Sequence, residues 1–335
     1  MNKCLVTKLK GTVSNDSLLK LGELRIRQSV IQSPSKYTQY MLVYSVGKIT
    51  AKVSNGHFTD ESLVQNLGQE LVNDSIAHLT VSNSDCTISL FDKYNITEVT
   101  CNNSSVKVVA DSLKFCKNLA VLTAGIEGDI SCLEDSPIEK LTVQNKEAIG
   151  NISVLAGKLN GTSSSVTLTS PNITGDIAVF NNKNISILNL GGSGITGSIE
   201  DFNLPATTWL TIPKGVTGRI ELFTSSKCNI VANGSNITGD ISRVNGISKI
   251  IGPISFNWGD GTPSNFVSLD MVTFATIAEL DRMLVKEAEL VTSTSGNDLI
   301  INVSCIEGNR TTASDSAVST LKSKGVSITI NGATL

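Results

Sequence analysis

The chain has 335 residues, 27 Lys and Arg against 30 Asp and Glu, and a net charge of -3. That length suits two or three modules with buried cores, and the near-neutral balance argues against a protein held to a polyanion by bulk charge. Seven cysteines stand singly at 4, 86, 101, 116, 132, 228 and 305, beside only His57 and His78. These exclude short-spaced zinc ligand pairs and predict buried free thiols in a reducing compartment.

Residues 1–55 hold nine Lys or Arg against only Asp16 and Glu23. The cations alternate with apolar residues and lack interleaved aromatics, so they read as solvated strand faces, with an acidic partner surface favoured there over nucleic acid. The start, MNKCLVTKLKG, has no apolar core of a secretory signal, and Cys4 makes a poor lipidation site. No apolar run approaches membrane-spanning length, so no membrane insertion is expected. Through residue 95 the chain reads as period-two strands: CLVTKLKGTV, LGELRIRQSV, YMLVYSVGKITAKV and AHLTVSNSDCTISLF, divided by SNDS and QSPSK. An antiparallel β-sandwich over 1–95 is the expectation, with a boundary between Lys93 and Thr100.

A repeat then takes over. The turns IEGDI, IGNI, ITGDI, ITGSI, VTGRI and ITGDI align on Gly128, Gly150, Gly175, Gly197, Gly218 and Gly239, at spacings of 22, 25, 22, 21 and 21 residues. Such a period predicts a solenoid of six coils, a rod on the order of 29 Å long at strand spacing. Ahead of the turns lie Leu141 and Val143, Val166 and Leu168, Leu188 and Leu190, and Leu210 and Ile212, whose alternation predicts one inward row per coil. The residue before each turn's first apolar position is Gly125, Ala148, Asn172, Gly194, Gly215 or Asn236, which predicts positive φ there. The six aligned glycines would let neighbouring coils approach closely.

ISILNLGGSGITGSI at 185–199 resembles the L-x-x-L-x-L-x-x-N-x-L-T-G-x-I-P form of the leucine-rich repeat, over roughly residues 115–255. Two departures stand out: Ser193, Ser235 and Pro171 occupy the place of the laddering asparagine, and the final proline is missing. A parallel β-helix is the competing architecture.

NWGDGTPSN reads as a linker closing a central domain at 96–262. Beyond it, Thr276 with Glu279 predicts a capping box for a helix carrying Ile277, Leu280, Met283, Leu284 and Leu290. NDLIINVSCI predicts a strand, Ser314 caps a second helix ending at Gly325, and VSITI supplies a last strand. The whole is therefore expected to be mainly β: a sandwich, a leucine-rich-repeat-like solenoid, and a small C-terminal α/β unit at 263–335 acting as cap or interaction domain.

Catalytic constellations are not evident. The two histidines offer no Ser–His–Asp set, and GGSG at 191–194 is the repeat's own turn and no phosphate loop. Asp129, Asp176 and Asp240 recur at the turn, but Asn151, Ser198 and Arg219 interrupt them, so a solvated turn face is expected over a calcium ladder. Asp260 reads as part of a tight linker, and the sequons at Asn95, Asn103, Asn172 and Asn236 as turn chemistry. Trp209 is expected to be packed. No catalytic residue, metal or cofactor is expected.

The opening, MNKCLVTKLKGTVSNDSLLKLGELRI, is similar to the start of several virion proteins of crAss-like phages that infect gut Bacteroidota. The resemblance implies an anchoring module bearing a varied projection. It implies a particle component without fixing which one; together with the modular order and the lack of catalytic groups, the expectation is a non-enzymatic capsid head fibre or decoration, assembled in the bacterial cytoplasm, that meets other virion proteins through residues 1–95. A homodimer, or else a trimer, is expected. The other readings are a tail-associated protein binding a host surface glycan or protein, and a glycan-cleaving β-helix enzyme with converging carboxylates.

Overall fold

The computed structural model describes residues 40–43, 47–53, 67–73, 76–81, 86–89, 96–101 and 107–335, apart from 115, 162–163, 201 and 293–298. The protein is mainly β, with two sheets rich in parallel strands, and divides into two units, Met1–Gly150 and Asn151–Leu335. The strands expected at 4–13 and 21–30, and His57, lie outside the described residues.

In Met1–Gly150, β1 (Tyr40–Val43) pairs antiparallel with β5 (Cys86–Ser89). In the other sheet β2 (Gly47–Val53) lies antiparallel between β4 (Ile76–Val81) and β6 (Ile96–Cys101), and β3 (Leu67–Asn73) joins β4. Each long piece expected at 40–53 and 77–91 is thus broken in two, and β3 was missed because Gly68 and Gln69 interrupt its pattern. Pairing changes hand at β6, which is parallel to β8 (Val121–Thr123), as β8 is to β10 (Lys140–Val143). It changes likewise at β7 (Lys107–Val109), antiparallel to β1 and parallel to β9 (Gly125–Asp129), which pairs with β11 (Ala148–Asn151).

Asn151–Leu335 carries the longer parallel series. Its main sheet runs β12 (Ser164–Leu168), β14 (Ile185–Asn189), β17 (Trp209–Thr211), β19 (Thr224–Val231), β21 (Asn245–Ser255), β22 (Ser268–Phe274), β23 (Ile300–Cys305) and β24 (Ser327–Ile330), and ends on antiparallel β25 (Ala333–Thr334). A second parallel set is β13 (Ile173–Asp176), β15 (Gly194–Ser198), β18 (Gly215–Arg219) and β20 (Asn236–Thr238); two-residue β16 (Asn203–Leu204) pairs with β19.

The core follows from two periods. Alternation on the main strands buries all eight expected residues, from Leu141 and Val143 to Leu210 and Ile212. At the turns the buried residues flank the glycine at two before and two after: Ile126 and Ile130, Ala148 and Ile152, Ile173 and Ile177, Ile195 and Ile199, Val216 and Ile220, Ile237 and Ile241. Ala148, and not its neighbour, takes the inward place; Ile149 is 45% exposed, because counting back from Gly150 puts it on the opposite face. Three residues past each turn isoleucine sits Leu133, Leu155, Phe180, Phe202, Phe223 or Val244, all buried. Five of these turns run into short 3-10 helices, whose three-residue period stacks i over i+3. The Phe202 and Phe223 rings lie 6.2 Å apart, so one repeat's third residue packs on the next.

The expected linker is not a solvated one. Trp258 is fully buried and Phe256 nearly so; Asn257 N–H donates to Gly239 O at 3.0 Å and its carbonyl accepts from Ile241 N at 3.1 Å. An aromatic of that size costs too much to leave in water, so NWGDGTPSN packs as a further turn. Helix α1 (Ile277–Leu290) has the capping box at Thr276 and Glu279, and buries Leu280, Met283 and Leu284. Helix α2 (Asp315–Ser323) follows Ser314, but that hydroxyl donates to Asp281 Oδ1 at 2.5 Å and makes no cap bond. The helix ends as expected: Gly325, at φ 83°, donates to Lys322 O while Val326 N reaches Leu321 O, the paired bonds of a Schellman end.

Candidate binding face

The turn residues come first, because they fix how the repeats present their faces. Gly128, Gly150, Gly175, Gly197, Gly218 and Gly239 all have φ between 109° and 126°. Positive φ therefore falls on the aligned glycines themselves, and not on the residues before the turn where it was expected. Gly194 and Gly215 serve for closeness instead: a Cβ there would lie 2.5 Å from Pro171 O and 2.7 Å from Ile195 O. Asn236 uses its side chain, donating to Lys214 O at 3.1 Å.

The recurring turn acids are helix caps. Asp129 Oδ1 accepts from Ser131 N at 2.8 Å, Asn151 Oδ1 from Ser153 N at 2.9 Å, Asp176 Oδ1 from Ala178 N at 2.9 Å and Asp240 Oδ1 from Ser242 N at 3.0 Å. This explains why Asn151 can replace an aspartate, since an amide oxygen accepts the cap bond as a carboxylate does. Ser198 Oγ takes the same bond, from Glu200 N at 3.1 Å, and Arg219 alone makes no cap bond; in those two repeats the residue two further on is a glutamate. Glu200 Oε1 accepts from Arg219 N and Nε, both at 3.2 Å, and Glu221 Oε2 accepts from Asp240 N at 3.0 Å. The carboxylate has moved along the chain and bonds the following repeat. Burial alone would raise the Asp240 pKa, but the Ser242 hydroxyl, the Gly259 and Ser242 N–H groups and Arg243 outweigh it and hold the carboxyl below its ordinary value.

Where the laddering asparagine of the leucine-rich repeat would stand, Ser193 Oγ and Ser235 Oγ donate within their own turns, to Leu190 O at 2.8 Å and Ala232 O at 3.3 Å. Asn145 bridges between repeats instead, accepting from Ile126 N at 2.7 Å and donating to Ile126 O at 2.6 Å. Asn265 and Asn331 reach back in the same way, to Ile247 O and to Gly308 O. These asparagines were missed because they do not share one place in the period.

Cys116, Cys132, Cys228 and Cys305 are buried and unbridged. Burial, first among the causes, pushes the Cys132 and Cys228 thiols up to about 12, which suits inert packing and not nucleophilic work. Among the described residues no group of three His, Cys, Asp or Glu side chains could hold a metal ion, and no helix is long and apolar enough to cross a membrane. Asp260 is exposed and pairs with Arg282 at 3.5 Å.

What remains accessible is the face of the main parallel sheet turned from the core in Asn151–Leu335. Register puts Ser165, Ile187, Trp209, Asn229 and Lys249 in one row across five strands, and Thr167, Asn189, Thr211, Val231, Ile251, Asp270 and Asn302 in the next. Trp209 is not packed: it is 38% exposed, and its neighbour Ile187 44%. Because Leu210 points inward, alternation forces Trp209 out, a signal present in the sequence. Trp209 Nε1–H donates to Thr211 Oγ1 at 3.2 Å. Positions i and i+2 are about 6.6 Å apart along a strand, so that bond lays the indole along the strand.

Compared with family models, with characterised proteins and with solved structures, the chain finds no match.

Proposed function

We propose that this chain is a non-enzymatic structural protein of a bacteriophage particle, a head fibre or decoration attached through residues 1–95. Its repeats are read as a leucine-rich-repeat-like solenoid over 96–262, behind a sandwich-like anchor and ahead of the 263–335 unit. The observation that carries the reading is how the repeats spend their polar side chains. From Asp129 to Asp240 the turn carboxylates and amides cap helices or bond the next repeat, which suits a part built to hold length. The second short strand around the T-G-x-I segment, followed by a 3-10 turn, supports the leucine-rich-repeat reading over a β-helix. The resemblance of the opening, over the first 30 to 90 residues, to crAss-like phage virion proteins supports the location and the partners. Assembly as a homodimer or trimer is part of the proposal.

Gold-conjugated antibody raised against the purified chain, applied to intact particles under the electron microscope, tests it. Label around the heads is the expected outcome; label at the tail gives the role to host attachment, and unlabelled particles overturn the virion role.

A further inference from the structure

We infer that the outer face of the main sheet in Asn151–Leu335 binds an uncharged oligosaccharide, with Trp209 as its stacking platform. The inference concerns the isolated chain and stands whether the particle role is right or wrong.

The ring is prepared for such a ligand. Its N–H is taken by Thr211 Oγ1, so the indole is held down along the strand and loses little freedom on binding. The electron-rich face of an indole attracts the C–H face of a sugar ring, and Ile187 extends that apolar floor by one strand. On the other side Trp209 is in register with Asn229, whose side-chain amide makes no hydrogen bond within the described protein. An amide offers both a donor and an acceptor, which is what paired sugar hydroxyls require. Diagonally, Asn189 spends its oxygen on Gly191 N at 3.2 Å and keeps its amino group for a ligand.

Charge and area choose among occupants. Of the twelve positions in the two rows only Lys249 and Asp270 are charged, and Asp270 already accepts from Asn302 Nδ2 at 2.8 Å. Such a face has no field to select a charged polymer. A second copy of the chain is too large a partner for it: twelve positions, each about 4.8 Å by about 6.6 Å, give roughly 400 Å², against about 800 Å² per side in a stable dimer. A narrow, neutral, hydroxyl-rich chain lying across the strands fits the shape and the chemistry together.

The probes are maltohexaose, cellohexaose and mannohexaose, with a heparin oligosaccharide and an extended Gly-Ser peptide as the charged and non-sugar counterparts. They are titrated against the full chain by calorimetry and by acrylamide quenching of Trp209, with buried Trp258 as the internal reference. The expected result is binding of at least one neutral hexasaccharide with a Kd of about 1 mM or tighter, weakened about tenfold or more in both Trp209→Ala and Asn229→Ala while far-UV circular dichroism is unchanged. No binding by any neutral probe, binding that survives both substitutions, or binding confined to the heparin oligosaccharide or the peptide overturns the inference. None of these outcomes moves the gold label on the particle.

Discussion

A methyl group added at Gly197 has two costs. The backbone sits at φ +119°, and the new Cβ would lie 2.5 Å from Asp176 Oδ1, the atom that caps the preceding turn. Gly197→Ala is therefore expected to lower stability by about 2 kcal/mol or more, read as a lower urea midpoint at unchanged slope. Gly157 is the control: φ is +77° but nothing lies within 4 Å, so Gly157→Ala carries only the backbone share, about 1 kcal/mol. Glu287 on α1 gives a test in pH. It is fully buried; Oε2 accepts from Val267 N at 3.0 Å and Oε1 has no partner. Desolvation, only partly opposed by that hydrogen bond, holds its pKa well above the ordinary 4.5. The folded state thus keeps a proton the unfolded chain gives up, so stability is greatest below the unfolded pKa and falls as pH rises through the folded one. Urea midpoints of the wild type should decline from mildly acidic to alkaline buffer, and Glu287→Gln should flatten that slope; an unchanged slope would remove Glu287 as its source.

Among the elements, β22 contains the least comfortable residue. Met271 is an extra residue between Asp270 and Val272 in the ladder with β23, is 46% exposed and has φ +62°. Bulges of this kind ordinarily use glycine. Met271→Gly should raise stability by about 0.5–1 kcal/mol, the relieved strain exceeding the added chain entropy, and a fall in the thermal midpoint would contradict this. The elements also mark where sequence reading works. Turn glycines, inward leucines, the Thr276 capping box and the Gly325 helix end were legible because each rests on a local rule. The packed turn at NWGDGTPSN was not, since its composition is that of a linker and only the burial of Trp258 makes it otherwise. Ser314 was legible as a boundary but not as a partner of Asp281, which comes from a segment 33 residues away. The binding face was half legible: alternation puts Trp209 outside, but only strand register brings Asn229 beside it.

For the whole molecule, the cysteines offer a footprint that covers both units. Cys116 and Cys132 lie in Met1–Gly150, Cys228 and Cys305 in Asn151–Leu335, and all four are buried. In native protein at mildly alkaline pH these four should resist a maleimide, and in urea all four should react, as peptide mass mapping would show. Rapid native labelling of Cys132 or Cys228 would contradict the packing of its unit. A last consequence concerns inheritance. Near-identical stretches such as the two copies of NITGDI invite a gene to slip and gain or lose a repeat. The repeats are nevertheless not interchangeable, since Arg219 N and Asp240 N each rely on a long carboxylate supplied by the repeat before. A deletion that joined the Asp176 turn directly to the Arg219 turn would leave Arg219 N without Glu200, whereas one joining like to like would not. A gain or loss of a repeat is in this way constrained at the Arg219 and Asp240 joints by the residue that the repeat before must carry.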